Sequence, residues 1–261
     1  MTTALPTFFD QLARAWRLFI SRWGVAVVLE LIMLIPAMLM IPLVLEYLSA
    51  VYQNVDTNQV LANSIYTGQF IWGFFGTILF GVLSMTAMII AFAAKKPISL
   101  LVALTSAVRR YIPVLYTSIL ASLVVVLSFL PAELLQIWYT ALRSSLPISG
   151  SGLTAVDVVV LVAFIALLIP ALIVSIWVMY APLAVALKEV SGGFTALWFS
   201  KEIVQQHMWS LAWRVIGTLV LFEIVSLSVS VLPLAAVIVP FVLMILTIAF
   251  FVELYKELRV R

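Results

Sequence analysis

The chain has 261 residues, 65% of them hydrophobic and 10% charged, with a mean hydropathy of +1.24. A soluble domain carries about 25% charged residues and needs them to cover its surface, so the composition excludes an ordinary water-soluble domain and makes lipid the main solvent. The net charge is +3 and there is no cysteine, which excludes disulfides and thiolate chemistry; the basic residues lie in short clusters between apolar runs, which argues against a nucleic-acid partner.

Residues 1–22 read as an interfacial helix. Phe9, Leu12, Ala13, Trp16, Phe19 and Ile20 follow helical spacing on one face, and Asp10, Arg14, Arg17 and Ser21 line the other. That pattern suits a helix lying on a membrane surface. The first strongly apolar run then begins at Trp23. It exceeds the roughly 7–15 residues of a signal-peptide core and reads as a retained helix.

A hydrocarbon core about 30 Å thick is crossed by about 20 helical residues. Six runs satisfy this: residues 23–45, 70–94, 112–130, 156–178, 211–231 and 235–252. The third is expected to end at Pro131. The fourth stays apolar as far as Leu187, past Pro170 and Pro182. It reads as one span followed by an apolar extension along the cytoplasmic interface, because each proline removes a backbone donor and favours a kink. The whole is predicted to be a single polytopic all-α membrane domain over 1–261.

The charges fix an orientation. With the N-terminus inside and each run crossing once, the inner face receives Arg14, Arg17, Arg22, Lys95, Lys96, Arg109, Arg110, Lys188, Lys201, Arg214, Lys256, Arg259 and Arg261. The outer face receives Arg143 alone, so 13 of the 14 Lys and Arg residues share one side. That is the asymmetry of the positive-inside rule, and adding or losing one span would scatter it. Both ends are therefore expected in the cytoplasm of a bacterial inner-membrane protein.

A threefold pattern runs through the chain. Interfacial segments precede the first, third and fifth spans. In the second segment Leu100, Leu101, Leu104 and Val108 oppose Ser99, Ser106, Arg109 and Arg110; in the third Phe194, Leu197, Trp198 and Val204 form an apolar stripe that Lys201 interrupts. The segments end near Trp23, Tyr111 and Trp209, aromatics of the kind that favour the headgroup boundary. The predicted unit is an interfacial helix plus a transmembrane hairpin, repeated in parallel.

Ile169-Pro170, Tyr180, Ala181-Pro182, Glu189, Gly192-Gly193, Ala196, Ser200 and Trp209 or Trp213 follow one another from the fourth run into the fifth. With Ala15-Trp16-Arg17 at the start and Tyr255 with Arg259 at the end, this order resembles the bacterial six-span families of unknown function related to the membrane domain of glycerophosphoryl diester phosphodiesterases. One departure is Ala171 after Pro170, where those families often carry glycine. The resemblance implies a fold and a membrane location. It implies no hydrolysis, because no stretch here is long enough for the soluble catalytic barrel.

Catalytic or metal chemistry needs clustered His, Cys or carboxylates. The single histidine, His207, lies in the polar stretch before the fifth span. Gly150-Ser151-Gly152 reads as a turn, and Ser191-Gly192-Gly193 as a helix cap and break, although a helix N-terminus there could hold a phosphate. The candidate intramembrane polar residues are Glu30, Glu223 and Arg214, since a carboxylate at mid-membrane costs about 2.5–3.5 kcal/mol and usually faces a bundle interior or cavity. Arg214 precedes Glu223 by nine positions, and both are expected to point inward. The candidate interfacial residues are Phe9, Trp16, Arg17, Arg109 and Arg110. No cofactor and no enzymatic activity are expected. The expected partners are the bilayer and another membrane protein. A scaffold or partner subunit is the first functional expectation, and a small transporter or channel subunit using Glu30 and Glu223 is the alternative.

Overall fold

The computed structural model describes residues 7–53, 67–145, 155–229 and 233–259. All regular structure among them is helical. The helices are α1 (Phe8–Ala37), a 3₁₀ turn (Met38–Met40), α2 (Ile41–Tyr52), α3 (Gly68–Ala93), α4 (Leu100–Val108), α5 (Tyr111–Ser145), α6 (Ala155–Val178), α7 (Ala181–Ala186), α8 (Phe194–Gln205), α9 (Met208–Val229) and α10 (Pro233–Arg259). Six helical stretches are long and apolar enough to cross a membrane. Large apolar side chains such as Val126, Ile137, Val159 and Val162 stand exposed along them. Water would not tolerate such surfaces on this scale, so the chain is an all-α, multi-pass membrane protein.

Several boundaries differ from those expected. α1 is unbroken through Arg22 and Trp23, so the segment read as a separate interfacial helix and the first span are one helix. α5 runs 35 residues, straight through Pro131, where the third span was expected to stop. At 1.5 Å per residue it is about 52 Å long, well beyond a hydrocarbon core of about 30 Å. A proline inside a helix forfeits one backbone bond, and the apolar residues on both sides evidently outweigh that loss. α6 passes Pro170 as well and stops at Val178. The apolar extension beyond it is the short helix α7, with Pro182 in its first turn. Instead of lying open along an interface, α7 is buried at Ala181 and from Leu183 to Ala186 and packs on α8.

Contacts group the chain into two compact units. The first comprises residues up to Leu115 together with those from Gly217 onward; the second runs from Tyr116 to Ile216. The sequence, read as one domain, shows no linker at either division, because each falls inside a helix, α5 or α9.

In the first unit α1, α3 and α10 pack on one another. Lipid offers apolar side chains as good a home as protein does, so helix association here depends on close packing and hydrogen bonds. The core accordingly holds small residues, Ala26, Ala87 and Ala249, beside Leu29, Met88 and Ile245. The Ser84 hydroxyl donates to the Leu29 carbonyl at 2.6 Å and ties α3 to α1. Gly73 and Gly76 receive the bend after α1: a Cβ at Gly76 would lie 2.8 Å from the Pro36 Cβ, and one at Gly73 would collide with Met40. In the second unit α8 packs against α6 and α7.

Candidate functional site

One end of the first unit carries a belt of charge. α3 ends at Ala93. Arg22 of α1 donates to the Ala94 carbonyl at 2.5 Å, and Lys256 of α10 donates to the Phe92 carbonyl at 3.0 Å. Two cations thus close carbonyls that the helix end leaves open, where its dipole is negative. Lys256 also pairs with Glu253 at 2.8 Å. Glu257, one residue further along α10, accepts from Gln11 at 2.5 Å and from Arg14 at 2.8 Å. Gln11, Ala15 and Phe19 are buried, while Phe9 (74% exposed) and Trp16 (47%) face outward.

The same division recurs in the other two segments. α4 buries Ala103 and Ala107 and exposes Leu101 and Val108; α8 buries Ala196 and Ser200 and exposes Phe194 and Trp198. Each segment turns an i, i+4 pair inward (Ala15 with Phe19, Ala103 with Ala107, Ala196 with Ser200) and leaves large apolar groups outward (Phe9 and Trp16, Leu101 and Val108, Phe194 and Trp198). Side chains so spaced share one helix face.

The candidate interfacial cations differ in setting. Arg17 is exposed and its Nε turns back to the Ala13 carbonyl at 3.4 Å. Arg109 is exposed; Arg110, between α4 and α5, is half-buried, and desolvation lowers its guanidinium pKa from the ordinary value. A guanidinium keeps its proton nonetheless.

The intramembrane candidates part company. Glu30 is 1% exposed, and its Oε2 has no hydrogen-bond partner among the described residues. Glu223 is exposed on α9. Arg214 is buried and acts electrostatically on Tyr180 within the second unit. The expectation that Arg214 and Glu223 both point inward holds for Arg214 only. Glu30 and Glu223 therefore occupy opposite environments and do not line a common interior.

The second unit places polar groups at the break between α6 and α7. Ser200 of α8 donates to the Trp177 carbonyl at 2.5 Å and accepts from the Tyr180 N–H at 3.2 Å. The Trp177 carbonyl belongs to the last turn of α6 and the Tyr180 N–H to the break that follows, so Ser200 bridges the two. Gly193 opens α8 with φ +66°, a region that suits glycine, and its N–H donates to Thr117 Oγ1 at 2.8 Å. A Cβ there would lie 2.8 Å from the Tyr116 ring. Ser191-Gly192-Gly193 is thus a packed break whose last amide is already used. Lys201, which interrupts the apolar stripe, lies 4.9 Å from the Trp177 ring centre and 4.7 Å from that of Trp198. At such distances a cation is attracted to the ring faces. Arg143, the one cation assigned to the outer side, lies 3.9 Å from Asp157 and donates to the Tyr139 hydroxyl at 3.1 Å; that hydroxyl donates in turn to Asp157.

Sequence reasoning missed Gln11, Glu257, Lys256, Ser200 and Thr117. The Gln11–Glu257 bond joins residues 246 positions apart, a pairing that no local spacing reveals. Ser200 did carry a signal, as the Ala196…Ser200 pair in the family-like run. Gly150-Ser151-Gly152 lies outside the described residues. His207 joins α8 to α9, its N–H on the Val204 carbonyl. Among the described residues no three His or carboxylate side chains gather as a metal site would require.

Fold and site together define a multi-pass helical membrane protein whose buried polar groups tie helices and close helix ends. No protein family model, curated protein or solved structure matches the chain.

Proposed function

We propose that this chain is a non-catalytic module of a bacterial inner membrane, a scaffold or partner subunit with both ends in the cytoplasm. The observation that carries this reading is where its polar side chains are spent. Arg22 and Lys256 cap α3, Gln11 and Arg14 hold Glu257, and Ser200 and Thr117 close the turns around α7 and α8. Meanwhile Leu101, Val108, Phe194 and Trp198 project outward from the short helices α4, which Arg109 and Arg110 follow, and α8, which carries Lys201. Exposed apolar groups beside a rim of charge suit association at the membrane surface. The family resemblance, with its silence about reaction, is in keeping with this role.

The test is purification of the full chain in mild detergent, mass-spectrometric identification of what accompanies it, and reciprocal purification from that partner. Loss of the pair in a Leu101→Ala/Val108→Ala or Phe194→Ala/Trp198→Ala protein supports the reading; a chain that stays alone under crosslinking in intact membranes counts against it. The transporter alternative rests on Glu30 alone, through its unpartnered carboxyl oxygen, because Glu223 does not share its surroundings.

A further inference from the structure

A groove of about 410 Å³ runs between α1, α9 and α10 in the first unit, walled by Phe9, Ala13 and Trp16 on α1, Phe222 and Val225 on α9 and Leu246 on α10. Its wall is apolar, and the volume falls in the range of roughly 300–1,000 Å³ usual for small-molecule sites. Beside it sits a cation. Arg17 follows Trp16 directly, is exposed, and its Nε reaches the carbonyl of Ala13, itself a wall residue. Among the described residues Arg17 makes no ion pair, whereas its neighbour Arg14 is held by Glu257.

We infer that this groove holds one acyl chain of an anionic phospholipid, with the headgroup phosphate on the Arg17 guanidinium. This rests on the membrane reading of the chain and deepens it. Size argues against a protein occupant: a helix about 10 Å across would fill the volume in about one turn. A flexible hydrocarbon chain fits a narrow apolar groove, and a guanidinium fork matches phosphate geometry. Trp16 lines the groove and directly precedes Arg17, and its indole suits the boundary where headgroups meet chains.

The test is native mass spectrometry of the full chain, delipidated in detergent and then mixed with phosphatidylglycerol or phosphatidylcholine of identical acyl chains. The wild type retains phosphatidylglycerol in preference. Arg17→Gln lowers that retention about fivefold, the effect of one cation near an anionic lipid surface, and leaves phosphatidylcholine as it was. Ala13→Trp, which fills the groove from an exposed position, lowers retention of both lipids. Arg109→Gln, the loss of an exposed cation elsewhere, changes neither. Equal loss in Arg17→Gln and Arg109→Gln would reduce the effect to bulk charge and overturn the site. So would a dimer that Ala13→Trp dissociates, which would make the groove's occupant a second copy. A failure of either kind in a chain that still fractionates with membranes leaves the membrane reading standing.

Discussion

Lys188 is the described non-glycine residue that takes a positive φ, 62°. It stands just past α7, where its N–H bonds the Val185 carbonyl and the N–H of Glu189 bonds that of Ala184, both at 3.0 Å. This left-handed helix ending usually falls to glycine, since an L side chain there costs roughly 1–2 kcal/mol. Lys188→Gly is expected to raise the unfolding free energy by about 0.5–1 kcal/mol, less than the full strain because glycine also gains freedom in the unfolded chain. Thermal unfolding in detergent measures this, with Lys188→Ala as the control that keeps the strain; an unchanged or lower Tm for the glycine variant would mean that the cation at the helix end is worth more than the backbone relief. Glu30 poses the complementary question. A buried carboxyl oxygen without a partner is costly, so the apolar and similarly sized Glu30→Met is expected to stabilise by about 1–3 kcal/mol. Proton flux into proteoliposomes, read on the same variant, separates the functional readings: flux lost while Tm rises supports the transporter, and flux unchanged leaves Glu30 a residue of the packing. A lower Tm would show that the fold depends on the carboxyl.

At the scale of elements, the apolar runs were legible because lipid demands length and hydrophobicity alone. The stops were less so. Pro131 reads as a terminus by the rules of water-exposed helices, yet α5 continues through it with Leu134, Ile137 and Trp138 exposed beyond. The outward faces of the three amphipathic segments could be read from Phe9, Trp16, Leu101 and Phe194. Their inward faces could not, because Ala15, Ala103 and Ala196 look unremarkable in a hydropathy pattern and matter only where a neighbouring helix must come close. The break between α6 and α7 is the element most dependent on one distant side chain. Ser200→Ala would leave the Trp177 carbonyl and Tyr180 N–H without that partner in a buried setting, and is expected to cost about 1–3 kcal/mol. Ser228→Ala removes only a bond to the Ile224 carbonyl of its own helix and is expected to be neutral. Equal Tm values for the two variants would show that the break is held by packing alone.

For the molecule as a whole, composition alone sufficed to name the solvent, and the division into two units was invisible because it falls within helices. Charge carries the remaining claim. With six crossings thirteen of the fourteen cations fall on one side, which the positive-inside rule expects to be the inner one, and Arg143, expected on the other side, lies 3.9 Å from Asp157. Translocating a lysine or arginine is resisted more than translocating a carboxylate, so a carboxylate such as Glu46, expected near the far side, would cost the arrangement little. A reporter active only outside the cytoplasm, fused after Thr57, is therefore expected to be active, and the same reporter fused after Ser106 silent. A fluorescent protein that matures only inside should give the reverse pair. The two positions flank a single span, residues 70–94, so agreement between them would remove that span and send every later cation cluster to the wrong face; both reporters inverted would keep the spans and overturn the orientation.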